Sequence, residues 1–112
     1  HLPLTAETTY MIDEAFLSSF KKPYWLLNTS RGKVLNTAAL VKALDSGKVL
    51  GAALDVLENE KLNTLTEKQK ADLDTLLNKP NVLVTPHIAG WTHESKQRIA
   101  EVLLEKIRKV YS

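Results

Sequence analysis

The chain predicts an α/β fold: a parallel β-sheet with helices on both faces. Short apolar runs of strand length recur along its 112 residues, at Trp25-Leu26-Leu27, Ala52-Ala53-Leu54 and Val82-Leu83-Val84. Between them, apolar residues fall at helical spacing, so helix and strand alternate as they do in parallel sheets joined by helical crossovers. A different polar residue follows each run: Arg31, Glu60 and His87. In open sheets of this kind ligands bind beyond the carboxyl ends of the strands, where these three residues fall.

The elements follow in order. His1-Leu2-Pro3-Leu4 reads like the last residues of a strand whose beginning is absent, so the chain is expected to be part of a longer protein. Asp13 is a suitable N-cap for a short helix over Glu14 to Phe20, stopped by Lys21-Lys22-Pro23. Tyr24 to Leu27 is a buried strand, and Asn28-Thr29-Ser30-Arg31-Gly32 the loop beyond it. Asn36 caps a second helix with Ala39, Leu40, Ala43 and Leu44 at helical spacing and Gly47 as its terminator. Val49 to Val56 is the next strand, its small Gly51, Ala52 and Ala53 permitting close packing. Thr66 and Gln69 match a capping box for a third helix with Leu73, Leu76 and Leu77 on its buried face. After the breaker Asn78-Lys79-Pro80-Asn81 comes the strand Val82-Leu83-Val84 and the loop Thr85 to Gly90. Thr92 caps a last helix whose apolar stripe is Ile99, Val102, Leu103, Ile107 and Val110.

Composition narrows the function. A net charge of +2, from 15 basic and 13 acidic residues interspersed along the chain, is no footprint for nucleic acid. No apolar run approaches the roughly 20 residues of a membrane span. The absence of cysteine excludes disulfides and thiolate metal sites and fits a reducing compartment, so a cytoplasmic protein is expected. His1, His87 and His93 lack the close pairing of a zinc site, and no metal is expected. The glycines at 32, 47, 51 and 90 form no phosphate-cradling motif.

A cation, a carboxylate and an imidazole beyond neighbouring strand ends suit chemistry on a small anionic carbonyl compound. A guanidinium grips a carboxylate with two parallel hydrogen bonds. An imidazole moves a proton near neutral pH, and a carboxylate beside it can hold and charge it. Arg31, taken alone, also fits a surface residue, and Glu58 fits a solvated acidic loop. Asp55 ends an apolar strand, where an ionised group needs a partner or a ligand. Pro86 fixes the backbone before His87, and Gly90 leaves room for a ligand.

These blocks resemble the D-isomer-specific 2-hydroxyacid dehydrogenases, in the C-terminal part of their NAD-binding domain. The resemblance rests on His1-Leu2-Pro3-Leu4-Thr5 with Thr8, on Asn28 to Gly32, on Leu54-Asp55-Val56 through Glu60, and on Thr85 to Gly90. It implies that residues 1–112 are a partial NAD-binding domain, the second half of a Rossmann fold, from a two-domain protein. It implies that Arg31 binds the substrate carboxylate, that His87 is the general acid and base, and that Glu60 hydrogen-bonds His87. Asp55 would contact the nicotinamide carboxamide, Thr29, Ser30 and Gly90 would line the cofactor, and His1, Pro3 and Thr8 would lie along its phosphate and ribose side. Lys61 and Asn36 depart from the Pro and Asp common in the family.

The implied reaction is hydride transfer between NAD and C2 of a D-2-hydroxyacid or 2-keto acid, with phosphoglycerate or hydroxypyruvate preferred. The implied assembly is a homodimer without nucleic-acid or membrane partners. Two other readings remain: an NAD-sensing, corepressor-like binding protein of the same fold, and an inactive, self-associating fragment.

Overall fold

The computed structural model describes residues 1–112. Seven regular elements follow the predicted order: α1 (Glu14–Ser18), β1 (Tyr24–Asn28), α2 (Thr37–Asp45), β2 (Val49–Leu54), α3 (Glu67–Leu77), β3 (Val82–Val84) and α4 (His93–Tyr111). The strands form one parallel sheet in the order β1-β2-β3.

Side-chain caps set where the helices begin. Asp13 accepts from the Phe16 N–H at 2.9 Å, Asn36 from Ala39 at 3.0 Å and Thr92 from Ser95 at 3.0 Å. Thr66 and Gln69 bond each other's backbone reciprocally, completing the expected capping box. Gly47, at φ 74°, ends α2 in the left-handed region.

Some boundaries differ from expectation. Helix α1 stops at Ser18, because Ser19 turns back to bond the Phe16 carbonyl and Phe20 packs on Tyr24 with ring centroids 4.4 Å apart. Strand β1 runs on to Asn28, and β2 ends at Leu54, two residues short. Residues 1–4 join no strand; the segment before α1 is tied to the chain ahead of α2 by the Tyr10 N–H donating to the Lys33 carbonyl and by a parallel bridge between Ile12 and Leu35.

The core is a cluster that includes Leu17, Leu26, Leu40, Ala52, Leu54 and Leu76, where α1, α2 and α3 meet one face of the sheet. Burying each leucine contributes roughly 1.5–3 kcal/mol. The opposite face is open: Trp25 is 65 % exposed, Leu27 72 % and Leu83 62 %. The parallel sheet with helices therefore stands, but the expected cover on both faces is met on one only. The helix that could cover the second face, α4, extends away with no buried residue, and Ile99, Leu103, Ile107 and Val110 of its stripe meet solvent. On α3 only Leu76 is fully buried; Leu77 is 52 % exposed. A register shift between Tyr24 and Trp25 leaves Leu50 as the extra residue of a bulge and turns it outward.

Candidate active site

Parallel pairing aligns the strand ends. Asn28 is level with Leu54, and Leu54 with Val84, so the three following loops leave one edge of the sheet side by side. Arg31, Glu60 and His87 are thereby delivered to one end of the molecule, with β2 in the middle.

Asn28, which the sequence reading passed over, builds the first loop. Its buried side-chain oxygen accepts from the Ser30 N–H at 3.0 Å and the Ser30 hydroxyl at 2.8 Å, while its amide donates to the Arg31 carbonyl at 3.2 Å. The Ser30 hydroxyl thus holds the loop. Arg31 is exposed and forms no ion pair; one of its nitrogens donates to the Ser30 carbonyl at 2.8 Å. The other guanidinium donors are available for a planar anion. Gly32 then seats against the Leu57 backbone so closely that a Cβ would lie 1.7 Å from the Leu57 carbonyl oxygen.

The second loop carries the acidic residues. Glu58 is no solvated bystander: its carboxylate accepts from the Tyr10 hydroxyl at 2.8 Å and from the Thr37 N–H, at the start of α2, at 3.0 Å. An anion is favoured at that helix end. Hydrogen bonding to Glu58, with some burial, raises the Tyr10 phenol above its ordinary pKa. Only a spatial neighbour, absent from the local pattern, could have revealed this role.

Asp55 is buried, as its suspicious position required. One oxygen accepts from the Thr85 hydroxyl at 2.6 Å and the Ile88 N–H at 2.9 Å, and the other from the Ala89 N–H at 2.9 Å. The Thr85 hydrogen bond, outweighing burial and helped by Ala89, Ile88 and the charge of His87, holds the carboxyl below its ordinary value. Of about four lone-pair positions on a carboxylate, one remains for a ligand.

His87 sits in the third loop at φ 58°, a left-handed conformation unusual for a residue with a Cβ. Its Nδ1 lies 3.2 Å from Glu60 Oε2, across the gap between the second and third loops. An ionised carboxylate only accepts, so Nδ1 carries the hydrogen and Nε2 is the nitrogen left for chemistry. Both side chains are about half exposed, at 50 % and 47 %.

The remaining candidates are less tightly joined. Thr8 uses its hydroxyl to bond the Pro3 carbonyl at 2.8 Å and to accept from the Thr5 N–H at 2.8 Å, closing its own turn. None of His1, Pro3 and Thr8 hydrogen-bonds to the three strand-end loops; the link from this segment runs through Tyr10 to Glu58. Gly90 borders open space, with nothing within 4 Å of an added Cβ.

On the open sheet face, at the same edge, lies a hollow of about 280 Å³ lined largely by apolar groups, among them Leu27, Ala53, Leu83 and Ala89, together with Thr29 and Asp55. A carboxylate acceptor beside an apolar wall is the chemistry that a heteroaromatic ring bearing a carboxamide calls for. A second hollow of about 210 Å³ lies beside it between Asp55, Glu60, Leu62 and His87. The residues present therefore fit the nicotinamide end of a dinucleotide.

Comparison with known proteins agrees. Residues 1–89 match the family described as D-isomer specific 2-hydroxyacid dehydrogenase, NAD binding domain. A glyoxylate reductase of Thermofilum pendens is 47 % identical over 102 residues, which cover 91 % of this chain and 28 % of the relative. The 2-hydroxyacid dehydrogenase homolog 1 of Schizosaccharomyces pombe is 43 % identical over 112 residues, covering 96 % of this chain and 34 % of its own length. Among solved structures, the D-lactate dehydrogenase of Aquifex aeolicus complexed with NAD and lactic acid superposes with a TM-score of 0.77 at 36 % identity, covering 99 % of this chain and 35 % of that one. The chain spans about a third of the length of these relatives. Its sheet, its strand-end residues and its relatives lead to one assignment: the chain belongs to the D-isomer-specific 2-hydroxyacid dehydrogenase family, in the C-terminal part of the NAD-binding domain.

Proposed function

We propose that the protein carrying this chain is an NAD-dependent oxidoreductase that interconverts a 2-keto acid and the D-2-hydroxyacid, and that this chain supplies its proton-transfer and anion-binding groups. The observation that carries the reading is the His87–Glu60 pair, 3.2 Å apart across the β2 and β3 loops, with Arg31 on the same sheet edge. Arg31 takes the substrate carboxylate with paired hydrogen bonds and so fixes C2. His87, held at Nδ1 by Glu60, gives a proton from Nε2 to the C2 oxygen in reduction and takes it back in oxidation. Bound NAD supplies the hydride donor or acceptor. Asp55 and the apolar hollow orient the nicotinamide, with Thr29, Ser30 and Gly90 alongside; His1, Pro3 and Thr8 are assigned to the ribose and phosphate side.

The substrate proposed is a short, unphosphorylated 2-keto acid such as glyoxylate or hydroxypyruvate. Relatives named glyoxylate reductase and D-lactate dehydrogenase support that size over phosphoglycerate. We propose a homodimer as the assembly, supported by the uncovered apolar stripe Ile99, Leu103, Ile107 and Val110 of α4; sedimentation equilibrium checks it.

The test of function is NADH oxidation by the full-length protein with glyoxylate, hydroxypyruvate, pyruvate and phosphohydroxypyruvate. Arg31→Ala is expected to lower kcat/KM by on the order of a hundredfold or more with the fold intact. A folded Arg31→Ala protein with near-normal kcat/KM would refute the assignment.

A further inference from the structure

The imidazole of His87 is tethered by one contact between two half-exposed side chains, a weak hold for a group that must meet a reacting oxygen. Its backbone is held far more firmly. A left-handed φ on a residue with a Cβ persists where the surroundings impose it, and such residues gather at functional sites. Here the surroundings are explicit. The Thr85 N–H donates to the Leu54 carbonyl at 2.9 Å, carrying the sheet pairing one residue past β3. The His87 N–H donates to the Thr85 carbonyl at 3.0 Å, closing a tight turn over Pro86. Beyond His87, the N–H groups of Ile88 and Ala89 donate to the two oxygens of Asp55. The Asp55 carboxylate therefore clamps the chain on the far side of the histidine.

One group aims that clamp. The Thr85 hydroxyl donates at 2.6 Å to the same Asp55 oxygen that receives Ile88 N–H. Thr85 thus fixes the chain before His87 through its backbone and the chain after it through Asp55. We propose that Thr85 is a positioning residue for catalysis: its hydroxyl latches Asp55 so that the 85–89 loop holds His87 in its left-handed turn, directing the imidazole at the substrate. The proposal rests on His87 being the proton donor. A serine keeps the latch, whereas a valine keeps the shape and removes it. The consequence for the site is graded: losing the latch frees the imidazole, while Asp55, at the border of the nicotinamide hollow, keeps its bonds from the Ile88 and Ala89 N–H groups.

The experiment compares Thr85→Val and Thr85→Ser in the full-length protein, with steady-state kinetics and a crystal structure of each. Thr85→Val is expected to lower kcat by about tenfold or more, since small misplacements of a catalytic group are costly, while KM for NADH changes by a smaller factor than kcat. Thr85→Ser is expected to restore most of the rate. In the Thr85→Val crystal, residue 87 is expected to leave the left-handed region. The latch is overturned if Thr85→Val keeps the parental kcat, if Thr85→Ser is as impaired as Thr85→Val, or if His87 stays left-handed in the valine variant. A parental enzyme that reduces no 2-keto acid would instead remove the functional reading, and the backbone of residue 87 in the valine variant would still decide the latch.

Discussion

Replacing Gly32 by alanine tests whether the loops bearing Arg31 and Glu60 rest on each other. An added Cβ would lie 1.7 Å from the Leu57 oxygen, 2.1 Å from the Leu57 carbonyl carbon and 2.7 Å from the Glu58 nitrogen. Ordinary contact begins at 3.4 Å, so the first clash alone requires 3.4 − 1.7 = 1.7 Å of separation. All three atoms are backbone, and no rotamer change relieves them. Overpacking of this kind costs about 1–3 kcal/mol or more. The displacement falls one residue from Arg31, and a misplacement of about 1 Å can lower a rate about a hundredfold. Gly32→Ala in the full-length protein should therefore show a melting temperature lower by several degrees and kcat/KM lower by on the order of a hundredfold. Calorimetry and steady-state kinetics read the two effects. Unchanged values of both would mean that the two loops do not touch and that the site is not built as described.

Three further outcomes are expected. Gly90→Ala should leave the melting temperature unchanged, because its Cβ meets nothing within 4 Å, yet raise KM for NADH if the cofactor lies against it; unchanged KM removes Gly90 from the cofactor site. Leu76→Ala, at a fully buried position, should lose about 2–5 kcal/mol in urea unfolding, against less than about 0.5 kcal/mol for Leu77→Ala on the exposed side. The lowered pKa of Asp55 means that the unfolded chain takes up its proton first on acidification; the stability is complete above the ordinary carboxyl value of 3.8 and is lost as pH falls through the lower folded value. Thr85→Val, which removes the foremost cause of that shift, should flatten the acid limb of a urea-midpoint profile, and superimposable limbs would contradict it.

What could be read from the chain is what depends on neighbours in sequence. Asp13, Asn36, Thr66 with Gln69, and Thr92 cap as expected because a cap bonds a backbone group three residues away. The placement of Arg31, Glu60 and His87 on one edge followed from strand alternation, since parallel strands put all their carboxyl ends together. What could not be read depends on groups distant in sequence. Leu76 and Leu77 are equivalent in composition, and only the angle at which α3 meets the sheet decides which is buried. Glu58 resembled its acidic neighbours until Tyr10 and Thr37 came within hydrogen-bond range. An apolar stripe on α4 says that something must cover it without saying what, so the cover expected on the second sheet face did not follow. The left-handed turn at His87 is imposed from Asp55, 32 positions earlier.

The segment 55–60 leaves the middle strand and touches both of the other strand-end loops. Asp55 and Glu60 hold the loop of His87, Leu57 seats Gly32, and Glu58 ties in Tyr10 and α2. The loops of Arg31 and His87 thus rest on one segment, and a shift of that segment would carry both side chains with it. Residues just beyond it are exempt from that duty: Leu62 borders the hollow beside His87 but supports neither loop. A substitution at Leu62 would therefore reshape that hollow while the supports of the Arg31 and His87 loops are left alone.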